Sequence, residues 1–163
     1  MSSNRNQKLD IFLKINVLKS AFAPTILMVS TFLLTLMACQ DEETIKFQTY
    51  IGEGQRLYEQ RCANCHQKDG SGLQKLIPPL ANSDYLKNRE NHLACIIKYG
   101  MKGKIIVNGQ DYNAAMPANE SLSDRHLAQI LTYITYKWAG ATTRTKDEDI
   151  KKQLSSCQST ENN

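Results

Sequence analysis

The chain has 163 residues and a formal net charge of +4, which suits one domain and falls short of two ordinary ones. The charge is uneven: residues 1–38 hold Arg5, Lys8, Lys14 and Lys19 against one acid, Asp10, and the remainder carries 16 bases against 15 acids. A net of +1 after residue 38 gives no basis for a nucleic-acid partner, and five cysteines, an odd number, cannot all share one disulfide framework.

The first predicted element is the leader. Residues 20–38, SAFAPTILMVSTFLLTLMA, carry no charge and follow the four bases, the order of a secretory signal. Length alone would allow a retained anchor, but Pro24 and the polar residues at 20, 25, 30, 31 and 35 weaken that reading. The run closes on Leu36-Met37-Ala38-Cys39, which resembles the lipobox of bacterial lipoproteins. That resemblance implies cleavage before Cys39, lipidation of its sulfur, and a chain held outside the cytoplasmic membrane. Residues 39–49 then read as a flexible, polar tether. Its Gln-Asp-Glu-Glu start is similar to that of some surface-exposed lipoproteins, which makes surface display the minority alternative.

A domain over residues 50–140 follows, with three predicted helices. The first spans 53–64, with Leu57, Tyr58 and Cys62 at near-helical spacing and Gly54 one turn before Tyr58. The second spans 89–99, between Asn88 as cap and Gly100 as stop. The third spans 124–138, capped by Ser123, with Leu127, Ile130, Leu131, Ile134 and Trp138 as one apolar stripe. A short turn is expected at 84–87. SGLQKLIPPLANS reads as loop, and KGKIIVNGQDY as a small hairpin turning at Asn108-Gly109. Three or four helices with long loops make a thin core, of a kind that needs an added stabiliser such as a large apolar prosthetic group. Beyond Gly140, residues 141–163 read as a polar tail with a transient helix over 147–154.

The chemistry concentrates in Cys62-Ala-Asn-Cys65-His66. This is the attachment pentapeptide of c-type haem: sulfurs at i and i+3 reach the two vinyl groups, and the next histidine rises under the iron. A zinc module using Cys62, Cys65, His92 and Cys95 has acceptable spacing but leaves His66 without a role. A thioredoxin-like dithiol would need a preceding strand that residues 40–52 do not offer. For the sixth position of the iron the candidates are His92, Met101, Met116 and His126; Met116 is preferred, because it sits in a loop before Pro117 with little reason to be core. His92 and His126 read as solvated helix residues. Lys68, Lys75, Lys102 and Lys104 are a candidate patch whose plain explanation is solvation.

With these pieces in order, the chain resembles a class I monohaem cytochrome c in a bacterial lipoprotein form. The likeness is carried by CANCHQKDGSG at 62–72, PPL at 78–80, NGQDYNAAMP at 108–117 and LSDRHLAQILTYITYKW at 122–138. It implies an all-α, cytochrome c-like fold of three to four helices and loops around one covalent haem c. It implies thioethers at Cys62 and Cys65, and His66 and Met116 as axial ligands. It pairs Gly54 and Tyr58 with Ile130 and Tyr133 where the first and last helices cross. It assigns Pro78 or Pro79 the carbonyl that holds the His66 ring, and places Asn108 and Tyr112 on the methionine-side loop, near a propionate or the ligand sulfur. Two departures stand out. His126 replaces the acid of the usual capping box, which is therefore expected to be missing, and Cys95 reads as a small buried hydrophobe in preference to a partner of Cys157.

The function implied is single-electron transfer without catalysis or a small-molecule substrate. The carrier would be tethered by lipid on the periplasmic side of a membrane in the bacterial cell envelope. Its partners would be redox proteins: a dehydrogenase, a reductase or a terminal oxidase. The alternative is a haem subunit fixed in an oxidoreductase complex. A single CxxCH disfavours a dihaem peroxidase.

Overall fold

The computed structural model describes residues 41–88 and 90–160, together with Met28. The leader over 1–38 (Met28 apart), Cys39 and the predicted helix start at Arg89 lie outside the described residues. The unit from Glu42 onward is built of α1 (Glu42–Arg61), α2 (Ala63–His66), α3 (Asp84–Asn88), a 3-10 turn (Glu90–His92), α4 (Leu93–Tyr99), β1 (Ile105–Val107), β2 (Gln110–Tyr112), α5 (Asp124–Ala139) and α6 (Asp147–Thr160). Among the described residues no helix is long and apolar enough to cross a membrane. The all-α class stands, with four substantial helices and one two-stranded antiparallel hairpin in the register Ile105–Tyr112.

α5 is the central element. Its predicted stripe is buried, with Leu127, Ile130, Leu131 and Ile134 each at most 4% exposed. Ser123 caps it by accepting the His126 N–H at 3.2 Å, and the His126 Nδ1 accepts the Ser123 N–H in return. The capping box expected to be missing is therefore present: the imidazole supplies the acceptor that an acid usually provides. Gly140, at φ +78°, ends the helix in the left-handed conformation.

α1 crosses α5 at Gly54. A Cβ on Gly54 would overlap the Gln129 carbonyl and lie 2.8 Å from the Tyr133 Cβ, so only hydrogen lets the backbones meet. The crossing thus lies at Gln129 and Tyr133, while Ile130 turns to the interior cleft. Tyr58, fully buried one turn on, fills the space beside it, with ring centroids 5.5 Å from Tyr133 and 5.3 Å from Trp138. Gly54→Ala is expected to cost about 1–3 kcal/mol, the usual range for overpacking, and a lowered thermal midpoint in the haem-loaded protein measures it.

Three expectations need correction. Residues 42–49, expected as a flexible tether, form the first two turns of α1, which runs unbroken to Arg61. Exposed Glu42–Lys46 pairing and burial of Tyr50 against the domain explain why the polar composition misled. The middle helix starts at Leu93 after a 3-10 turn, and Asn88 closes α3 instead of capping α4. The tail helix is longer than predicted and is docked. Ile150 is fully buried, Asp147 accepts from Tyr50 and Arg125, and Arg144 pairs with Glu43.

α6 is also covalently held. Cys95 and Cys157 form a disulfide with Cα atoms 6.1 Å apart, so Cys95 is not a lone buried hydrophobe. This removes the zinc alternative, because the Cys95 sulfur is bonded to Cys157. Among the described residues no group of three or more His, Cys, Asp or Glu side chains is placed to hold a metal ion.

Candidate functional site

Cys62 sits where α1 passes into α2, and the turn continues through it. The Cys62 N–H donates to the Tyr58 carbonyl at 2.8 Å, and the Cys65 and His66 N–H groups donate to the Cys62 carbonyl at 3.1 and 2.9 Å. The two sulfurs are free, one turn apart, with Cys62 half-buried in the cleft wall and Cys65 exposed. Burial, with the neighbouring Cys65 adding to it, pushes the Cys62 thiol up to about 11. A redox dithiol works through a nucleophile whose pKa is depressed, so this environment argues against that chemistry.

His66 is fixed by the loop that follows it. The Gly72 N–H returns to the His66 carbonyl at 3.0 Å, the Leu80 N–H reaches the Gly70 carbonyl at 2.8 Å, and the loop so folded sets the Pro78 carbonyl 3.1 Å from His66 Nδ1. A carbonyl can only accept, so Nδ1 carries the proton and Nε2 keeps its lone pair. Burial lowers the His66 pKa, against the smaller opposing effect of the Pro78 bond, and favours the neutral ring a metal needs. Of the two prolines that sequence left open, Pro78 is the partner.

Across the interior lies a cleft of about 90 Å³, partly open to solvent, with His66 and Cys62 on one side and Met116 among its other lining residues. Leu93, Ile97, Val107, Ile130 and Ile134 make much of the wall. Its polar side chains are already engaged: the Tyr58 hydroxyl donates to the Gln67 carbonyl at 2.6 Å, and Ser83 Oγ accepts the Leu86 N–H. Folded interiors are close-packed, so a cleft lined almost wholly by hydrocarbon yet open to solvent belongs to an occupant that is itself apolar. A porphyrin fits that description, with two thiols at one edge and an imidazole lone pair on the wall.

Residues 51–138 match the Cytochrome c family. The chain belongs to that family. It is similar to cytochrome c-552 of Thermus thermophilus, 34% identical over 93 residues that cover 55% of this chain and 70% of that protein. It is also similar to a second cytochrome c-552 from the same species, at 34% identity with 62% of that protein covered. The cytochrome c subunit of the quinone alcohol dehydrogenase of Gluconobacter oxydans is 31% identical over 88 residues, which cover 52% of this chain but only 18% of that one. The cytochrome c domain is therefore a haem-binding electron carrier and not a catalytic enzyme, and Cys62, Cys65 and His66 have the spacing of a single covalent haem c site.

The remaining predicted residues divide. Met116 lines the cleft of this cytochrome domain, as does Met101. His92 and His126 do not: His92 precedes α4 and His126 is spent on the α5 cap. Asn108 accepts the Asp84 N–H at 3.0 Å and so ties the hairpin turn to α3, while Tyr112 is buried outside the cleft lining. Within the lysine patch, Lys68 and Lys104 face Glu59 and Asp111, which opposes half of its charge. Sequence reasoning missed Tyr85 as a cleft residue and the docking of α6. Cysteine arithmetic held a signal for the second: with Cys39 expected to carry lipid and Cys62 and Cys65 expected to carry haem, Cys95 and Cys157 are left as a pair.

Proposed function

We propose that this chain is a lipid-tethered carrier of single electrons, with His66 and Met116 as the axial ligands of its haem and Cys62 and Cys65 as the thioether positions. The observation that carries the reading is the presence of a neutral, carbonyl-anchored imidazole and a loop-borne thioether on one apolar cleft. The haem supplies reversible one-electron chemistry. The chain supplies the rest. Pro78 fixes the ring and its tautomer, the hydrocarbon walls exclude water and favour the less charged reduced state, and a filled sixth position denies access to substrates.

Export and a lipid on Cys39 would place the domain in the cell envelope, on the periplasmic side of a membrane. α1 then begins within three residues of the lipid, so the domain would sit close to the bilayer. Partners would be a dehydrogenase, a reductase or a terminal oxidase, met through a small interface of the kind redox encounters use. The likeness to the cytochrome c subunit of a quinone alcohol dehydrogenase favours a second reading, a haem subunit held permanently in such a complex; copurification distinguishes the two.

Met116→Ala is expected to keep the covalent haem and lose the weak far-red band of methionine-ligated ferric haem. The reduction potential should fall by about 0.1 V or more, within the roughly 0.8 V over which axial ligands set haem potentials. Retention of both band and potential would remove Met116 as the ligand. Cys39→Ala should abolish incorporation of labelled fatty acid and leave the leader uncut, so that haem staining of a denaturing gel shows a larger precursor.

A further inference from the structure

Two thioethers, not one, line the cleft. Met101 and Met116 face each other across an isolated antiparallel bridge, where the Met101 N–H donates to the Met116 carbonyl at 3.0 Å and the Met116 N–H donates to the Met101 carbonyl at 2.9 Å. Residues directly opposite in an antiparallel pair project from the same face, so the two side chains start as neighbours. Gly100 secures this register. At φ +78° its added Cβ would lie 2.5 Å from the Met116 carbonyl oxygen and 2.9 Å from the Ala118 nitrogen. A metal bound by His66 therefore has two chemically identical donors available from one bridge.

Tyr85 distinguishes them. Its hydroxyl lies 3.5 Å from the Met101 sulfur and donates to it, whereas among the described residues no hydrogen bond reaches the sulfur of Met116. A thioether ligates through a lone pair, and a hydrogen bond both engages one and restrains a side chain with three rotatable bonds. Tyr85 is itself held firmly. The Leu86 N–H donates to Ser83 Oγ at 3.1 Å, and Asp84 and Asn108 clasp reciprocally, each N–H donating to the other's side-chain oxygen at 3.0 and 2.8 Å.

We propose that Tyr85 is the positioning residue that decides which thioether binds the iron: it holds Met101 back by hydrogen bonding and leaves Met116 as the ligand. This rests on the His66–Met116 reading above. Met101 is then a restrained second donor and not merely a filler of the cleft wall.

The test uses the haem-loaded protein and the far-red methionine band of its ferric form. Met116→Ala alone should lack the band. Met116→Ala with Tyr85→Phe should recover half or more of the wild-type intensity, because Met101 is released to ligate. Adding Met101→Leu should abolish it again, which a merely structural role for Tyr85 would not produce. Tyr85→Leu in the Met116→Ala background removes the same donor with a different side chain, should the phenylalanine variant not accumulate. A double variant that keeps its covalent haem and native circular dichroism yet shows no band overturns the proposal and leaves the Met116 reading intact. A Met116→Ala protein that keeps the full band until Met101 is also replaced overturns both, since Met101 would then be the ligand in the wild type.

Discussion

Replacing both Cys62 and Cys65 by alanine should yield a colourless chain that melts well below the haem-loaded protein. The cleft, with Cys62 on its wall, measures about 90 Å³, and interior cavities cost on the order of 24 cal/mol per Å³ left empty, about 2 kcal/mol for this one before the lost haem contacts are added. Domains are stable by about 5–15 kcal/mol in all, so that cost is a sizeable fraction of the total, and loss of the apolar contacts a haem would make adds to it. Collapse is opposed because the cleft is bordered by residues from α1, α3, α4, α5 and the hairpin, which would have to shift together to close it. The haem is thus part of the hydrophobic core as well as the redox centre. Circular dichroism melts of the variant beside the haem-loaded wild type will check this, and a sharp transition near the wild-type midpoint would show that the polypeptide folds without it.

The second large effect lies at the other face of α4. Cys157→Ser should lower the thermal midpoint by about 10 °C while leaving the haem spectrum unchanged. The disulfide spans a separation of 62 residues, and chain entropy for a loop of that size gives roughly 4 kcal/mol of stabilisation as a ceiling. Other contacts keep α6 docked and limit the loss. Ile150 remains buried, the Ala94 N–H still donates to Gln153 Oε1, and the Tyr50–Asp147–Arg125 contacts still hold the start of α6. The haem is spared because α4 divides its faces: Leu93, Ile96 and Ile97 line the cleft, whereas Cys95 bonds outward to α6. Wild-type protein treated with a thiol reductant should show the same loss, and reduced and oxidised forms that melt together would contradict the assignment.

These two cases mark where sequence was informative. The CxxCH turn, the α5 stripe, the Ser123 and Gly140 boundaries and the Asn108-Gly109 hairpin were legible because each depends on local spacing or on one residue's conformational preference. The two ends of the domain were not. Residues 42–49 and 147–160 are polar, and their helices form because a few side chains far apart in sequence meet: Tyr50 with Asp147, Glu43 with Arg144, Cys95 with Cys157. The choice of Pro78 over Pro79 likewise depends on how one loop closes on His66. The His126 cap fails by a different route: the rule names acids and amides at that position, whereas the physics requires only an acceptor, which an imidazole nitrogen provides. Tyr85 and Met101 lie 16 residues apart, and no periodicity links them.

The most direct measurement is the intact mass and the reduced-minus-oxidised spectrum of the mature protein, produced in cells able to attach haem to CxxCH. One haem per chain is predicted, added in mass to the polypeptide, resistant to acid–acetone extraction and reducible without loss of colour. A colourless product, a stoichiometric zinc ion, or a haem that extracts freely would contradict thioether attachment at Cys62 and Cys65, and with it the electron-carrier assignment.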